Sequence, residues 1–236
     1  ARQKLEETID KLLSDISAQS SWSSDYDQQA VKQLQLKILE RNGELDRAQQ
    51  LINDNLSFGT FREMAIEKEM TNGNYEGALE MCQDGEENDS DYPGLVKKWK
   101  TYRLQIYEAL EDVEKQKETL LEFIFDNEYE AYAKLKELYS EEEWERTLDN
   151  IFETFEEKTG YLPHVYEYIA KAENRSDRIL KYCEQSPAMV VELYPYLLDD
   201  YTEHVVDIFT RYIKWEAEYA SDRKKYRHVC EKLKAY

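Results

Sequence analysis

Chemistry in this chain would have to be built from very few reactive side chains. The histidines are His164, His204 and His228, and the cysteines are Cys82, Cys183 and Cys230. A zinc site on one helix needs two imidazoles at i and i+4, usually with a glutamate between them. No two of these histidines lie that close, so each is expected to be structural or at the surface. The cysteines are 101 and then 47 residues apart. An odd number at such spacing implies no disulfide framework and points to a reducing cytoplasm. Each thiol sits among apolar helical neighbours, where it serves as a small core residue.

Carboxylates are abundant, with 51 aspartates and glutamates in 236 residues. The densest run is Asp84-Gly85-Glu86-Glu87-Asn88-Asp89-Ser90-Asp91. A calcium loop opening at Asp89 would need an oxygen ligand at position 93 and a glutamate at 100, but Pro93 and Lys100 stand there. A solvated loop between helices, ending in a helix cap, is expected instead. With so many acids some pair will lie close by chance, so spacing identifies no catalytic dyad. There is no glycine-rich phosphate loop and no nucleophile elbow. The expectation is therefore no catalytic, cofactor-binding or metal-ligating residue, and no cofactor.

Two features keep a binding potential. Tyr161, Tyr166, Tyr168, Tyr182, Tyr194, Tyr196, Tyr201, Tyr212 and Tyr219 crowd the second half. Tyrosine packs its ring while keeping its hydroxyl wet or bonded, which suits a thin helical layer. The same residues among so many acids would also suit an aromatic, acidic groove for a basic or extended peptide. The other feature is the stretch Asp222–Lys234, where Arg223, Lys224, Lys225, Arg227, Lys232 and Lys234 face only two acids. It reads as the solvated face of a last helix or as a local anion-binding patch. The chain as a whole carries a formal charge of −20, a field that repels phosphate, so a basic partner is expected rather than a nucleic acid.

The elements that must carry these residues are helical. Only 7 glycines and 4 prolines punctuate the chain, too few for the tight turns of an all-β fold. Leu5, Ile9, Leu12, Leu13 and Ile16 predict a first amphipathic helix. Ser24 or Asp25 caps a second, with Val31, Leu34, Ile38 and Leu39 on one face and a stop at Asn42-Gly43. Helices follow over about 45–53 and 58–72, the latter closed by Asn72-Gly73. Pro93 starts another, and Ser140 with Glu143 forms a capping box ahead of Trp144, Leu148, Ile151, Phe152 and Phe155. A break is predicted at Thr159-Gly160, Ser186 is a cap with Pro187 at the first helical position, and Pro195 should end or kink its helix. The last two helices run over about 202–219 and from 222 to the end. No run approaches the ~18 apolar residues that cross a bilayer, and no leader pattern opens the chain.

A turn followed by an apolar helix recurs along this series. It is clearest in Gly43-Glu-Leu45-Asp-Arg-Ala48 and Gly73-Asn-Tyr75-Glu-Gly-Ala78, and recurs in Glu143-Trp144-Glu-Arg-Thr147. Equivalent positions at 48, 78, 116, 147, 179, 204 and 229 give intervals of 30, 38, 31, 32, 25 and 25. These lie near the length of one helical hairpin without being constant, which describes a degenerate array.

The two glycine-bearing copies resemble the second-helix start of a tetratricopeptide repeat. The segment Tyr194-Pro195-Tyr196-Leu197, with Ala220-Ser-Asp-Arg223-Lys-Lys-Tyr226-Arg-His-Val229-Cys230, resembles the end of the helical region in bacterial SWIM zinc-finger proteins. That family's finger pairs Cys-x-Cys with Cys-x-His. No such pairs stand here, and the nearest, His228-Val229-Cys230, has the order reversed. The resemblance implies the helical part of such a protein without its metal or DNA-binding residues.

The expected fold is all-α: one domain over 1–236, an α-solenoid of about seven antiparallel helical hairpins, tetratricopeptide-like and right-handed. The opening Ala1-Arg2-Gln3 fits methionine removal or a fragment of a larger protein. The expected role is a non-catalytic, cytoplasmic protein-interaction scaffold with an acidic, tyrosine-rich surface and a basic protein or peptide as partner. The alternative is a helical module of a SWIM-type nucleic-acid-associated protein, binding through Arg223, Lys224, Lys225 and Arg227. With helices packing ~8–10 Å apart, the array spans about 60–70 Å. Small-angle scattering should show that elongation, and a compact globule would rule it out.

Overall fold

The computed structural model describes residues 22–158 and 160–235, together with Thr8 and Lys11. The expected first helix, with Leu5, Ile9, Leu12, Leu13 and Ile16, lies outside those residues, as does Thr159. The described residues form thirteen α-helices and two short 3-10 turns, with no strand among them. Contacts divide the chain into two compact units, Ala1–Asp112 and Val113–Tyr236.

The first unit holds α1 (Trp22–Arg41), α2 (Leu45–Asn53), α3 (Gly59–Thr71), α4 (Tyr75–Asn88) and α5 (Pro93–Ala109). Each packs on the next, most extensively α4 on α3 and α5. One cluster joins Leu36 and Leu39 of α1 to Ala48, Ile52, Phe61 and Ala65. A second joins Ile66, Ala78, Cys82, Trp99 and Ile106. On α1 the inward face differs from the predicted one. Leu39 is buried as expected, but Leu36 shares that face with it, and Leu34 is 52% exposed.

The acidic run also differs from its predicted loop. Residues 84–88 are the last turn of α4, and Gly85 is buried. Its missing side chain admits the Trp99 indole: a Cβ there would lie 2.7 Å from Trp99 Cδ1 and 2.8 Å from Arg62 Nη1. The indole N–H donates to Asp89 at 2.7 Å, and Glu86 pairs with Arg103 at 3.1 Å. Within this run Asp89 and Glu86 are engaged by an indole and a guanidinium, whereas Asp84, Glu87 and Asp91 are exposed and residues 89–92 form the turn into α5.

The second unit holds α6 (Val113–Phe125), α7 (Glu130–Glu137), α8 (Glu141–Lys158), α9 (His164–Ala172), α10 (Ser176–Gln185), α11 (Val190–Leu193), α12 (Leu198–Tyr219) and α13 (Arg223–Ala235). The 3-10 turns Pro187–Met189 and Tyr194–Tyr196 flank α11; Pro187 opens the first after Ser186, as expected, and Pro195 lies where the helix was expected to end or kink. Non-helical geometry at Tyr201 divides α12, so a regular helix resumes at the predicted residue 202. On α8 the buried residues Trp144, Leu148, Ile151, Phe152 and Phe155 follow helical spacing. The short α7 was not predicted.

Five helix ends share one geometry. Gly43, Gly73, Glu111, Asn127 and Asn174 have positive φ. In each, that residue's N–H donates to the carbonyl three back, and the next N–H donates to the carbonyl five back. After Gly43, Gly73, Glu111 and Asn174 the next helix starts two residues on, and the fifth residue on (Ala48, Ala78, Gln116 or Ile179) is buried. These are four of the seven recurring positions. The copy at Thr147 follows the Ser140–Glu143 capping box instead, with Ser140 N–H to Glu143 Oε2 at 3.1 Å. His204 and Val229 lie inside α12 and α13 rather than at this distance from such a cap.

Gly73 and Gly85 separate two uses of glycine. A Cβ on Gly73 meets nothing within 4 Å, so Gly73→Ala should cost about 1 kcal/mol through its φ of +75 alone. Gly85→Ala should cost a net ~1–2 kcal/mol, overpacking outweighing the better helix propensity of alanine. Denaturant titration gives the costs. Near-ultraviolet circular dichroism should change for Gly85→Ala, which displaces Trp99, and not for Gly73→Ala.

Candidate functional site

The second unit concentrates its aromatic side chains where α7, α8 and α9 meet. Tyr129 precedes α7, Tyr132 lies on it, Tyr139 follows it, Trp144 is in the first turn of α8, and Tyr168 is on α9. Their rings form one unbroken row. Tyr129–Tyr168 centroids are 5.0 Å apart, Tyr168–Tyr132 6.1 Å, Tyr132–Trp144 5.7 Å and Trp144–Tyr139 6.0 Å. The capping box places Trp144. Its serine and glutamate fix the direction in which α8 leaves the turn, and the indole follows directly after Glu143.

Glu173, the C-terminal cap residue of α9, anchors this row. Its carboxylate accepts from the Tyr132 hydroxyl, from Trp144 Nε1 at 2.9 Å, and from Lys136 Nζ at 2.7 and 3.0 Å. Burial works against its charge, but the hydrogen bonds from Lys136, Tyr132 and Trp144 outweigh it and hold the carboxyl below the usual range. Burial, reinforced by the Glu173 hydrogen bond, pushes the Tyr132 hydroxyl well up. Glu156 repeats the arrangement one layer on. It accepts from Tyr166 at 2.7 Å, Arg178 at 2.7 Å and Lys181 at 2.6 Å. Burial again opposes its charge, and those donors again lower its carboxyl.

Above Glu173 opens a cavity of about 510 Å³, lined by Lys136, Tyr139, Trp144, Glu173 and the rim acids Glu141, Glu142 and Glu145. The rim acids are exposed. Arg146 approaches Glu142 at 3.7 Å. The aromatic faces already hold cations. Lys117 Nζ lies 4.2 Å from the Tyr139 centroid while pairing with Glu114 at 3.0 Å, and Lys136 Nζ lies 5.8 Å from Trp144. Such distances are those of cation–π attraction.

The residues singled out in the sequence are dispersed. His164 and His204 are exposed, and the side chain of His228 lies outside the described part. Cys82 and Cys183 are buried, and burial pushes both thiols up to about 12, away from nucleophilic reactivity, whereas Cys230 is exposed rather than the core residue expected. Among the described residues no cluster of His, Cys, Asp or Glu could hold a metal ion. No helix among them is long and apolar enough to cross a membrane. Of the nine crowded tyrosines, Tyr166, Tyr182 and Tyr212 are core residues, whereas Tyr161, Tyr168, Tyr196 and Tyr219 are exposed. Arg223, Lys224, Lys225 and Arg227 are exposed together on the first turns of α13. Sequence reasoning missed Tyr139 and Glu173. The capping box could have drawn attention to Tyr139, but nothing local marks Glu173, which lies 29 residues from its indole partner.

No family model, no curated protein and no solved structure matches the chain. The tetratricopeptide-like and SWIM-like resemblances rest on the sequence motifs quoted for them.

Glu156 and Glu173 set an acid limit on stability. Their carboxyls are lowered from the ordinary 4.5, so they stabilise the fold above that value. The contribution is lost as pH falls through the lowered value. The denaturant midpoint should hold from neutrality down to about pH 5 and fall below it. Glu173→Gln should cost about 2 kcal/mol near neutrality and flatten the acid limb.

Proposed function

We propose that this chain is a non-catalytic protein-interaction module, an irregular tetratricopeptide-like α-solenoid whose acidic, tyrosine-rich surface receives basic peptide segments. Consecutive helix packing and the recurring cap geometry support the solenoid reading. The observation that carries the binding reading is the Tyr139 face. It holds the Lys117 ammonium 4.2 Å from its centroid, beside the exposed acids Glu141, Glu142 and Glu145. The protein's own lysines display the contact that an incoming lysine or arginine would make. The non-catalytic part of the reading draws support from the same carboxylates. Glu156 and Glu173 are saturated with donors and their carboxyls are lowered, so they stay ionised rather than poised to exchange a proton near neutrality. Three free cysteines fit the expected cytoplasmic placement.

A labelled lysine- and arginine-rich peptide tests the reading by fluorescence anisotropy. Binding should weaken with added salt. The combined change Glu141→Gln, Glu142→Gln and Glu145→Gln should weaken it about tenfold, the sum of three modest surface ion pairs. These side chains are exposed, so the fold should tolerate their change. No binding, or equal binding by both proteins, would overturn the proposal.

A further inference from the structure

A second concavity, of opposite chemistry, lies between α12 and α13. It encloses about 820 Å³ and is walled by Trp215, Glu216 and Tyr219 from α12 and by Lys224, Lys225, Arg227 and Glu231 from α13. Trp215 also borders an adjoining cavity of about 620 Å³, formed by Tyr161, Pro187, Ala188, Met189 and Tyr212. The two cavities thus share one indole. One side is largely apolar and the other carries the cations.

The aromatic part is left in water. Trp215 is 55% exposed and Tyr219 65%, and their rings pair at 5.0 Å. Trp99 and Trp144, by contrast, are 0% and 3% exposed. An exposed indole between an apolar cavity and a charged rim is the arrangement found at the centre of binding surfaces.

The charges on the rim are not equivalent. The acids are already engaged. Glu216 pairs with Lys232 at 3.1 Å. Asp222 accepts from the backbone N–H groups of Lys224 and Lys225 at 2.8 and 2.9 Å, which caps α13 and lowers its carboxyl. Glu231 also has a partner. The cations are less committed. Lys225 Nζ reaches only the Ser221 hydroxyl, at 3.2 Å, and Lys224 and Arg227 make no ion pair among the described residues. The groove therefore has spare positive charge in a chain whose net charge is −20.

We propose that this groove docks an acidic peptide segment bearing an aromatic or aliphatic anchor. The anchor enters the cavity floored by Pro187, Met189 and Tyr212. The flanking carboxylates meet Lys224, Lys225 and Arg227, and the peptide backbone crosses Trp215. A protein segment is favoured over a nucleic acid for two reasons. The adjoining cavity is lined mostly by apolar groups, and its one cation, Arg211, is paired with Asp207, so it suits a hydrocarbon side chain rather than a phosphate. The backbone N–H groups at the start of α13, which would otherwise attract phosphate, are taken by Asp222. The site is separate from the Tyr139 corner and selects the opposite charge.

The test uses the full chain and three labelled probes: a peptide alternating leucine and phenylalanine with aspartate and glutamate, the same peptide with lysine at every acid, and a single-stranded oligothymidylate. The acidic peptide should bind and shift the emission of Trp215 to shorter wavelength. Trp215→Ala should weaken it about tenfold or more, and so should the combined change Lys224→Glu, Lys225→Glu and Arg227→Glu. All four residues are exposed, and circular dichroism checks that the variants stay folded. The charge-reversed variant should keep its affinity for the lysine peptide, which reports the Tyr139 corner independently. Failure of the acidic peptide to bind, binding unchanged in both variants, or tighter binding of the oligonucleotide than of the acidic peptide would each overturn the proposal.

Discussion

Burying carboxylates is the constraint on which the second unit depends. In a chain with 51 acids some carboxylates come to lie between helices, as Glu156 and Glu173 do, with side chains 12% and 10% exposed. Glu156 and Glu173 turn that burden into joints. Each collects donors from two neighbouring helices: tyrosine and lysine from α7 with an indole from α8 for Glu173, and tyrosine from α9 with arginine and lysine from α10 for Glu156. A buried charge is tolerable only when its lone pairs are met. The abundance of tyrosine follows from the same requirement, because a tyrosine supplies both core volume and a donor at its tip. Tyr166 does both, stacking on Tyr182 at 6.3 Å while donating to Glu156.

The helical class and most element boundaries were legible because caps are local. Asn42-Gly43 and Asn72-Gly73 mark left-handed helix ends by residue type alone, and Ser140 with Glu143 marks a start. Asn127 was harder. It sits in the polar run Asp126-Asn127-Glu128, and α7 beyond it has only eight residues, too few to show a period. Glu111 takes the same conformation with no residue preference to announce it.

Burial was less legible, because it depends on residues far along the chain. Composition makes 84–91 look solvated, yet Gly85 and Asp89 are held by Trp99 from the following helix. The candidate site shows the same limit. Trp144 and Tyr139 are placed by a capping box that can be read directly, whereas Glu173, which orders them, is set by packing across three helices. The basic stretch at the end was visible as composition. Its meaning changes once Trp215 and Tyr219, on a different helix, are seen to stand against it.

Gly85 carries a last consequence. The helix interior there is shaped as a socket for one particular ring, so its tolerance of change is conditional. A chain that adds a methyl group at this position must also shrink the indole at position 99 or lengthen the connection that delivers it. Related chains should therefore vary these two sites together rather than one at a time. That pairing offers a way to recognise a relative whose surface has diverged past recognition.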